Sequence, residues 1–552
     1  MGLRSKVPIK VIKKSGFDKS HHNALTTKVG TITPVLVDEL IPGSKVNLRF
    51  ALAGSLPPLA VDTYMKCFFD VRAFFVPFRL LAGGFESWFS DYSYNVVTNE
   101  DNSGNVIYSE KGFLPRLAVD SSADMSSIFG PGSLSDYLGY KMSGLGAGYD
   151  EDIILSLLPF LAYHRVCNDW FRQGNITREY FARPSTSLYN TVFLTGSSEY
   201  AAAFCPFVSF TNIGDCTLSV SGDINDDNLK LADGVSVLSL RQANYDYDYF
   251  TNALPSAQLG NQMTVNSVNS FSIPSLRLAN ALQQFSELNM MAGQDLVSVV
   301  KARYGANLSR GVAQRCIYLG GSRLDIASKS VDVTAQSNVS SQNPFIGSVG
   351  ASAGKAYIQG SDLIVDGFEA SEPGYLFVVG VLIPKVTYGS GIRRYLTHYT
   401  MPGSLVDMAT PLLQNIGNQP VYAYELSSCL GYSSYSGDIF GYTDRYAEFM
   451  TMEDEVHGLM IRGNSLDAFV AQRYFYENSQ PSINSAFLAI STQALYNVTA
   501  VANQISNFGF YGQFAFDYKV AQPLAQYCQP SLQNPAYEHG KTIMLHRGGF
   551  RF

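Results

Sequence analysis

Charge is what this sequence lacks most. Its 552 residues include 39 Lys and Arg against 46 Asp and Glu, so 15% are charged, where about 25% is usual for a soluble domain. Tryptophan is nearly absent, with Trp88 and Trp170 alone. The shortage of charge, set beside 46% hydrophobic and 13% aromatic residues, excludes a disordered chain and a collagen-like fibre. It points instead to large buried contacts between subunits, whose centres are poor in charge and rich in aromatics. Long apolar runs are missing too. The longest, Tyr375 to Pro384, has about half of the roughly 20 residues a membrane helix needs, so no membrane partner is expected. The charged start is followed by no apolar h-region, and a secretory signal is not expected. Seven cysteines stand at 67, 167, 205, 216, 316, 429 and 528, with no C-x-x-C pair. That scatter argues against a disulfide framework and a Cys-based zinc site, and reads as reduced, small hydrophobes of a cytoplasmic chain.

Catalytic motifs are equally scarce. There is no H-E-x-x-H and no G-x-S-x-G. Gly350 to Lys355 fails the phosphate-loop spacing, because three residues separate its glycines and Ala356 follows the lysine; it reads as a loop. Gly144 to Gly148 opens no clear helix, so no dinucleotide site is expected. None of the seven histidines meets a metal-ligand spacing. Glu453, Asp454 and Glu455 read as an exposed acidic turn. The chain is therefore read as a non-enzyme without cofactor or metal.

What is present is period two. From Lys66 to Val76 the odd positions Cys67, Phe69, Val71, Ala73 and Phe75 alternate with Lys66, Asp70 and Arg72, a half-buried strand closed by Pro77. Further strands are expected at Thr31–Leu36, at Lys45–Leu52, from Tyr375 toward Tyr388, and at Gln513–Val520, with Pro42-Gly43 as a turn. Helices are few: Phe160–Gln173, Ser275–Met290 and Gln294–Tyr304 show helical spacing. Strands joined by long polar connections suggest an all-β sandwich with large insertions.

The charge is unevenly placed. Residues 1–30 carry Arg4, Lys6, Lys10, Lys13, Lys14, Lys19 and Lys28 against Asp18. Such an arm suits a flexible strand meeting a polyanion. Residues 196–270 carry eight acids against Lys230 and Arg241.

Several segments, taken together and in order, resemble one family. Phe17-Asp18-Lys19-Ser20-His21, Thr26-Thr27 and Val37-Asp38-Glu39-Leu40-Ile41-Pro42-Gly43 open the chain. Phe74-Phe75-Val76-Pro77-Phe78-Arg79-Leu80, Trp170-Phe171-Arg172, Leu276-Arg277 and Tyr318-Leu319-Gly320-Gly321 follow. The most specific is Phe440-Gly441-Tyr442-Thr443-Asp444-Arg445-Tyr446-Ala447-Glu448-Phe449, then Gly458, Arg462 and Leu466-Asp467-Ala468. This pattern is similar to that of the major capsid proteins of the Microviridae, the small single-stranded DNA phages, in their gokushovirus-like branch. The chain departs from it at Phe469, where the family has Trp, and in its ending, His546 to Phe552, where a Pro-Gly-rich ending is expected.

The resemblance implies an eight-stranded jelly roll with long loop insertions and a few helices, assembling into a T=1 icosahedral shell around circular single-stranded DNA. It implies, as partners, further copies of the chain, a small basic DNA-packaging protein, scaffolding and pilot proteins and a host surface receptor. It implies a virion protein assembled in the host bacterial cytoplasm. The expected organisation is a basic internal arm over 1–30, a first part of the core over 31–190, an acidic outward insertion at the threefold axes over 191–270, and a second part of the core over 271–552. Arg4, Lys6, Lys10, Lys13, Lys14 and Lys19 are the expected DNA contacts. Arg445, Tyr446, Glu448, Phe440 and Tyr442 are expected to hold a structural and assembly network, since a planar guanidinium suits a carboxylate at a buried or interface site. The competing reading is a β-sandwich that binds or cleaves surface glycans. It should show placed carboxylates and stacking tryptophans, and only Trp88 and Trp170 are available.

Overall fold

The computed structural model describes residues 14–64, 66–82, 85, 97–100, 106–108, 114–119, 125–141, 153–174, 176–177, 179–180, 217–220, 230–231, 233–257, 301, 315–332, 352–385, 387–397, 414, 418–427, 439–475, 481–500 and 509–524. Its strands are β1 (Ser15–Asp18), β2 (His21–Thr27), β3 (Thr33–Leu40), β4 (Lys45–Ser55), β5 (Cys67–Pro77), β6 (Val97–Glu100), β7 (Val106–Tyr108), β8 (Arg116–Val119), β9 (Ile153–Ser156), β10 (Thr217–Val220), β11 (Ile317–Asp325), β12 (Ala327–Asp332), β13 (Ser352–Glu369), β14 (Gly374–Pro384), β15 (Gln419–Tyr422), β16 (Ile439–Thr443) and β17 (Phe510–Gln522).

Eight of these strands make two antiparallel sheets. The first runs β2-β17-β4-β13, with β1 beside β17 and β12 beyond β13; the second runs β11-β5-β14-β3. Numbered along the chain, the eight strands fall in the orders 1-8-3-6 and 2-7-4-5, which is jelly-roll connectivity. Phenylalanines join the sheets face to face: Phe69 of the second lies 4.8 Å from Phe510 and 5.9 Å from Phe514 of the first.

The two sheets read differently because they are covered differently. In the first, Val46, Leu48, Phe50 and Leu52 of β4 are buried while Lys45, Asn47, Arg49, Ala51 and Ala53 are exposed. Its β17 repeats the pattern, with Phe514, Phe516, Tyr518 and Val520 inward. One face meets the core and the other water, so hydrophobic and polar residues alternate. In the second sheet all eleven residues of β14 are buried, and ten of the eleven in β5. The expectation of a half-buried strand at Lys66–Val76 is thus corrected. The helix Leu158–Trp170 and its neighbours cover the outer face: Trp170 lies 5.7 Å from Phe74, Phe171 6.2 Å from Phe74, and Tyr163 6.4 Å from Phe377. A strand buried on both sides is a continuous apolar run.

Three further expectations change. Ser352 to Lys355, read as loop, begin the eighteen-residue β13. Gly354 is needed there because a Cβ would lie 2.2 Å from the Val61 carbonyl oxygen. The arm expected over 1–30 is already sheet from Ser15 onward, since β1 and β2 both pair with β17. Residues 230–257, assigned to the outward insertion 191–270, pack inward instead. Leu231, Val237, Leu238 and Ala243 join the main core, and Tyr249, Phe250 and Ala253 a second one. Two of the acids there are held within the chain, while Asp246 is exposed. Asp233 pairs with the buried Arg241, whose Nε–H donates to His164 Nδ1 at 3.1 Å, and Asp248 accepts the Phe250 and Thr251 N–H groups and the Tyr388 hydroxyl. The expected helices Ser275–Met290 and Gln294–Tyr304, and Gly144–Gly148, lie outside the described residues apart from Lys301. Among the described residues no helix is long and apolar enough to cross a membrane, and Cys67, Cys167 and Cys316 are buried free thiols.

Candidate functional site

The segment with the most specific motif builds the second core. Strand β16 pairs with β15 and carries Phe440 into an aromatic group, 4.8 Å from Phe487 and 6.4 Å from Phe250. Tyr442 is tied to Leu254 by reciprocal backbone hydrogen bonds of 2.8 and 2.7 Å. The chain then turns sharply. Tyr446, at φ +66°, is the one non-glycine residue with positive φ among those described, a conformation a bulky side chain adopts only when its surroundings impose it. Here its N–H donates to Gln419 Oε1 at 2.9 Å, and the Gln419 amide donates in turn to Glu448. A single 3-10 turn, Ala447–Phe449, follows.

Behind this turn sits a buried polar network. The Arg394 side chain is 1% exposed, and it faces Glu448 at 3.4 Å and Glu425 at 3.4 Å. It also donates to the Pro420 carbonyl at 2.5 Å. Glu425 accepts from the Tyr422 N–H at 2.9 Å and from the Tyr249 hydroxyl at 3.0 Å. Burial pushes the Glu425 carboxyl up to about 7, although Arg394, the Tyr422 N–H and the Tyr249 hydroxyl all favour its charged form. The Tyr249 hydroxyl is raised by burial and then by Glu425.

Of the residues expected here, Tyr446 and Glu448 are joined through Gln419, Phe440 and Tyr442 stand on β16, and the Arg445 guanidinium lies over the ring of its neighbour Tyr446 at 5.1 Å. Sequence reasoning missed Arg394, Glu425, Gln419 and Tyr249. Their one visible signal was the Arg393-Arg394 pair in a charge-poor chain. The acids read as an exposed turn are individually engaged. Glu453 accepts the Tyr249 N–H at 2.9 Å, Asp454 pairs with Lys385 at 2.5 Å, and Glu455 pairs with Arg393.

A cleft of about 540 Å³ opens beside the network, with Arg393, Arg394, Glu425 and Glu448 along its wall and Tyr395, Leu396 and Met452 at its mouth. Both Glu425 oxygens already accept hydrogen bonds from the protein. Among the described residues no group of three His, Cys, Asp or Glu side chains is placed to hold a metal ion.

Of the expected DNA contacts, Lys14 reaches Glu369 at 2.5 Å. Lys19 reaches Asp38 at 2.7 Å, and the Tyr518 hydroxyl donates to the same carboxylate at 2.6 Å. Arg4, Lys6, Lys10 and Lys13 lie outside the described residues.

The comparisons agree with this architecture. A family model described as capsid protein (F protein) matches residues 5–271 and 263–532. Three proteins named capsid protein VP1 are similar to the chain over nearly all of its length. That of Chlamydia phage 1 is 24% identical, covering 96% of this chain and 97% of the relative. That of Bdellovibrio phage phiMH2K is 23% identical, at 96% and 97%, and that of Spiroplasma virus 4 is 23% identical, at 95% and 96%. With two jelly-roll sheets, the motifs in order and a match running almost from end to end, the chain belongs to the capsid protein (F protein) family of phages, the Microviridae major capsid proteins.

Proposed function

We propose that the chain closes, as many copies of itself, into a T=1 icosahedral shell around single-stranded DNA, and that its work is burial of subunit faces rather than catalysis. The observation that carries this is the family match laid over a jelly roll whose long connections build a second core. The charge-poor composition supports it, because wide interfaces need few surface charges.

The arm before Lys14 faces the genome in this reading. Lys14 and Lys19 already answer carboxylates, which leaves Arg4, Lys6, Lys10 and Lys13 to meet phosphates without reading bases. Four such charges per copy on a chain of net −7 are few for a polyanion. A separate small basic packaging protein, or polyamines, therefore supplies most of the counterion. The outward lobe that meets the host receptor is drawn from the rest of 191–270, since 230–257 contribute to the two cores. Scaffolding and pilot proteins complete the set of partners, and assembly takes place in the bacterial cytoplasm before the protein resides in the virion.

Sedimentation of the purified chain tests the central claim: shell-sized particles or capsomers are expected, and a persistently small soluble species would overturn it. Deleting Met1–Lys13 tests the arm. DNA retained per particle should fall while shell yield holds. Unchanged DNA content removes the electrostatic role, and loss of shells makes the arm a clamp.

A further inference from the structure

A second pocket, which shares no lining residue with the cleft beside Arg394, carries charge of one sign. Lys385, Arg462 and Arg473 stand on its wall with Thr387 and Ser491. Among the described residues no Asp or Glu lines it, in a chain whose net charge is −7. Its volume is about 310 Å³, at the lower end of small-molecule sites. Lys385 is answered by Asp454 at 2.5 Å. The two arginines meet no carboxylate among the described residues.

Arg473 is a fork with one prong unused. Its guanidinium lies 3.8 Å from the centre of the Phe487 ring and 4.7 Å from that of Tyr245, and Nη2 donates to the Phe487 carbonyl. Nη1 is shut off from solvent and has no hydrogen-bond partner among the described residues. A buried charged donor left in that state carries its full desolvation cost, which an incoming acceptor removes. Gln472, 6% exposed, also lines the pocket. Its amide nitrogen donates to the Met460 carbonyl at 2.9 Å, while Oε1 has no donor among the described residues. The surrounding backbone is already tied. The Arg473 N–H donates to the Thr387 carbonyl at 2.8 Å, and the Tyr245 N–H to the Leu488 carbonyl at 3.0 Å. Little ordering therefore remains to be done when a ligand arrives.

We propose that this pocket binds a terminal phosphate, that of inorganic phosphate or of a small phosphomonoester, with Arg473 and Arg462 as its holders. Planar guanidinium forks suit phosphate oxygens, and two unanswered arginines call for a group that carries close to two negative charges. A phosphate that keeps one proton also offers the hydroxyl that Gln472 Oε1 needs. A phosphodiester has a single charge, no hydroxyl and a substituent on either side, so it fits less well. The inference concerns the subunit by itself and does not rest on the shell reading.

Titration calorimetry of the full-length, unassembled chain with inorganic phosphate, at constant ionic strength, tests it. Heat of binding is read rather than melting temperature, because phosphate also stabilises proteins without a site. One saturable site per chain is expected, with a Kd of about 1 mM or tighter. Arg462→Gln changes a side chain that meets no carboxylate, and it should melt within a few degrees of wild type and bind ~10-fold more weakly or worse. Arg473→Lys keeps the charge and loses the fork, and should weaken binding as well. Dimethyl phosphate, a diester, should bind wild type ~10-fold more weakly than inorganic phosphate. Absence of saturable phosphate binding overturns the proposal. Wild-type affinity in folded Arg462→Gln also overturns it, since the anion then sits elsewhere. Equal affinity for dimethyl phosphate overturns the terminal phosphate, and that comparison needs no variant to fold.

Discussion

Arg394 decides the fate of two carboxylates. Its side chain is 1% exposed, and Glu425 and Glu448 both face it. Removing one member of a buried ionic group leaves the others uncompensated, at about 3–5 kcal/mol. Arg394→Ala should therefore lower the urea midpoint of the unassembled subunit far more than Arg445→Lys. The latter keeps its charge, and the planar stack on Tyr446 that it weakens is worth about 1–2 kcal/mol at a buried site. Equal losses would place the network's weight on Arg445 instead. Glu425 adds a dependence on pH. Its carboxyl is raised by burial from an ordinary 4.5 to about 7, so between those values the folded state holds a proton that the unfolded state releases. Stability from this group is complete below about 4.5 and is lost as pH rises toward 7. Glu425→Gln fixes the neutral form. Its melting temperature relative to wild type should climb across that window, by the equivalent of about 3 kcal/mol in all. A difference that stays flat with pH would show that Glu425 is charged throughout.

At the level of strands, Gly354 is a test of close packing. A Cβ there meets the Val61 carbonyl oxygen at 2.2 Å and its carbon at 2.9 Å, and neither can swing away as a side-chain tip could. Gly354→Val should cost about 2–3 kcal/mol, read as a fall in melting temperature. Gly16→Ala on β1, with nothing within 4 Å of the added carbon, should change stability by less than about 1 kcal/mol. The same contrast explains what could be read from the sequence. Strands β4, β14 and β17 were legible because alternation, or an unbroken apolar run, reports directly on which faces are covered. Gly354 was misread because glycine looks alike in a loop and where two backbones touch. The acids at 230–257 were misread because counting charges does not reveal that Asp233 pairs with Arg241 eight residues on, or that Arg323 reaches Asp246 from a distant strand. In the site, Phe440, Tyr446 and Glu448 stood in one motif, while Arg394, the partner of Glu448, lay outside it and was brought in only by tertiary packing.

Across the whole molecule, the first sheet is completed by the last described strand. Tyr518 of β17 bonds to Asp38, 480 residues earlier, and to Ser20, 498 residues earlier. The strand lies between β4 and β2. A chain stopped at residue 509 lacks the strand on which both depend, and it should show no cooperative unfolding and be absent from particles when co-expressed with the full chain. Its presence there would mean that β2 and β4 find another partner. The timing of synthesis gives this topology a further meaning. At bacterial rates, 480 residues take roughly 25 to 100 s to make, and for that interval β4 has an open edge and an apolar row without its β17 neighbours. Contacts so distant along the chain also fold slowly once the chain is whole. The jelly roll is thus closed only once β17 has been made. A chain cut short by a stalled ribosome or a nicked message carries no finished sheet, so completeness of translation is checked by the fold before any copy can take its place in a shell.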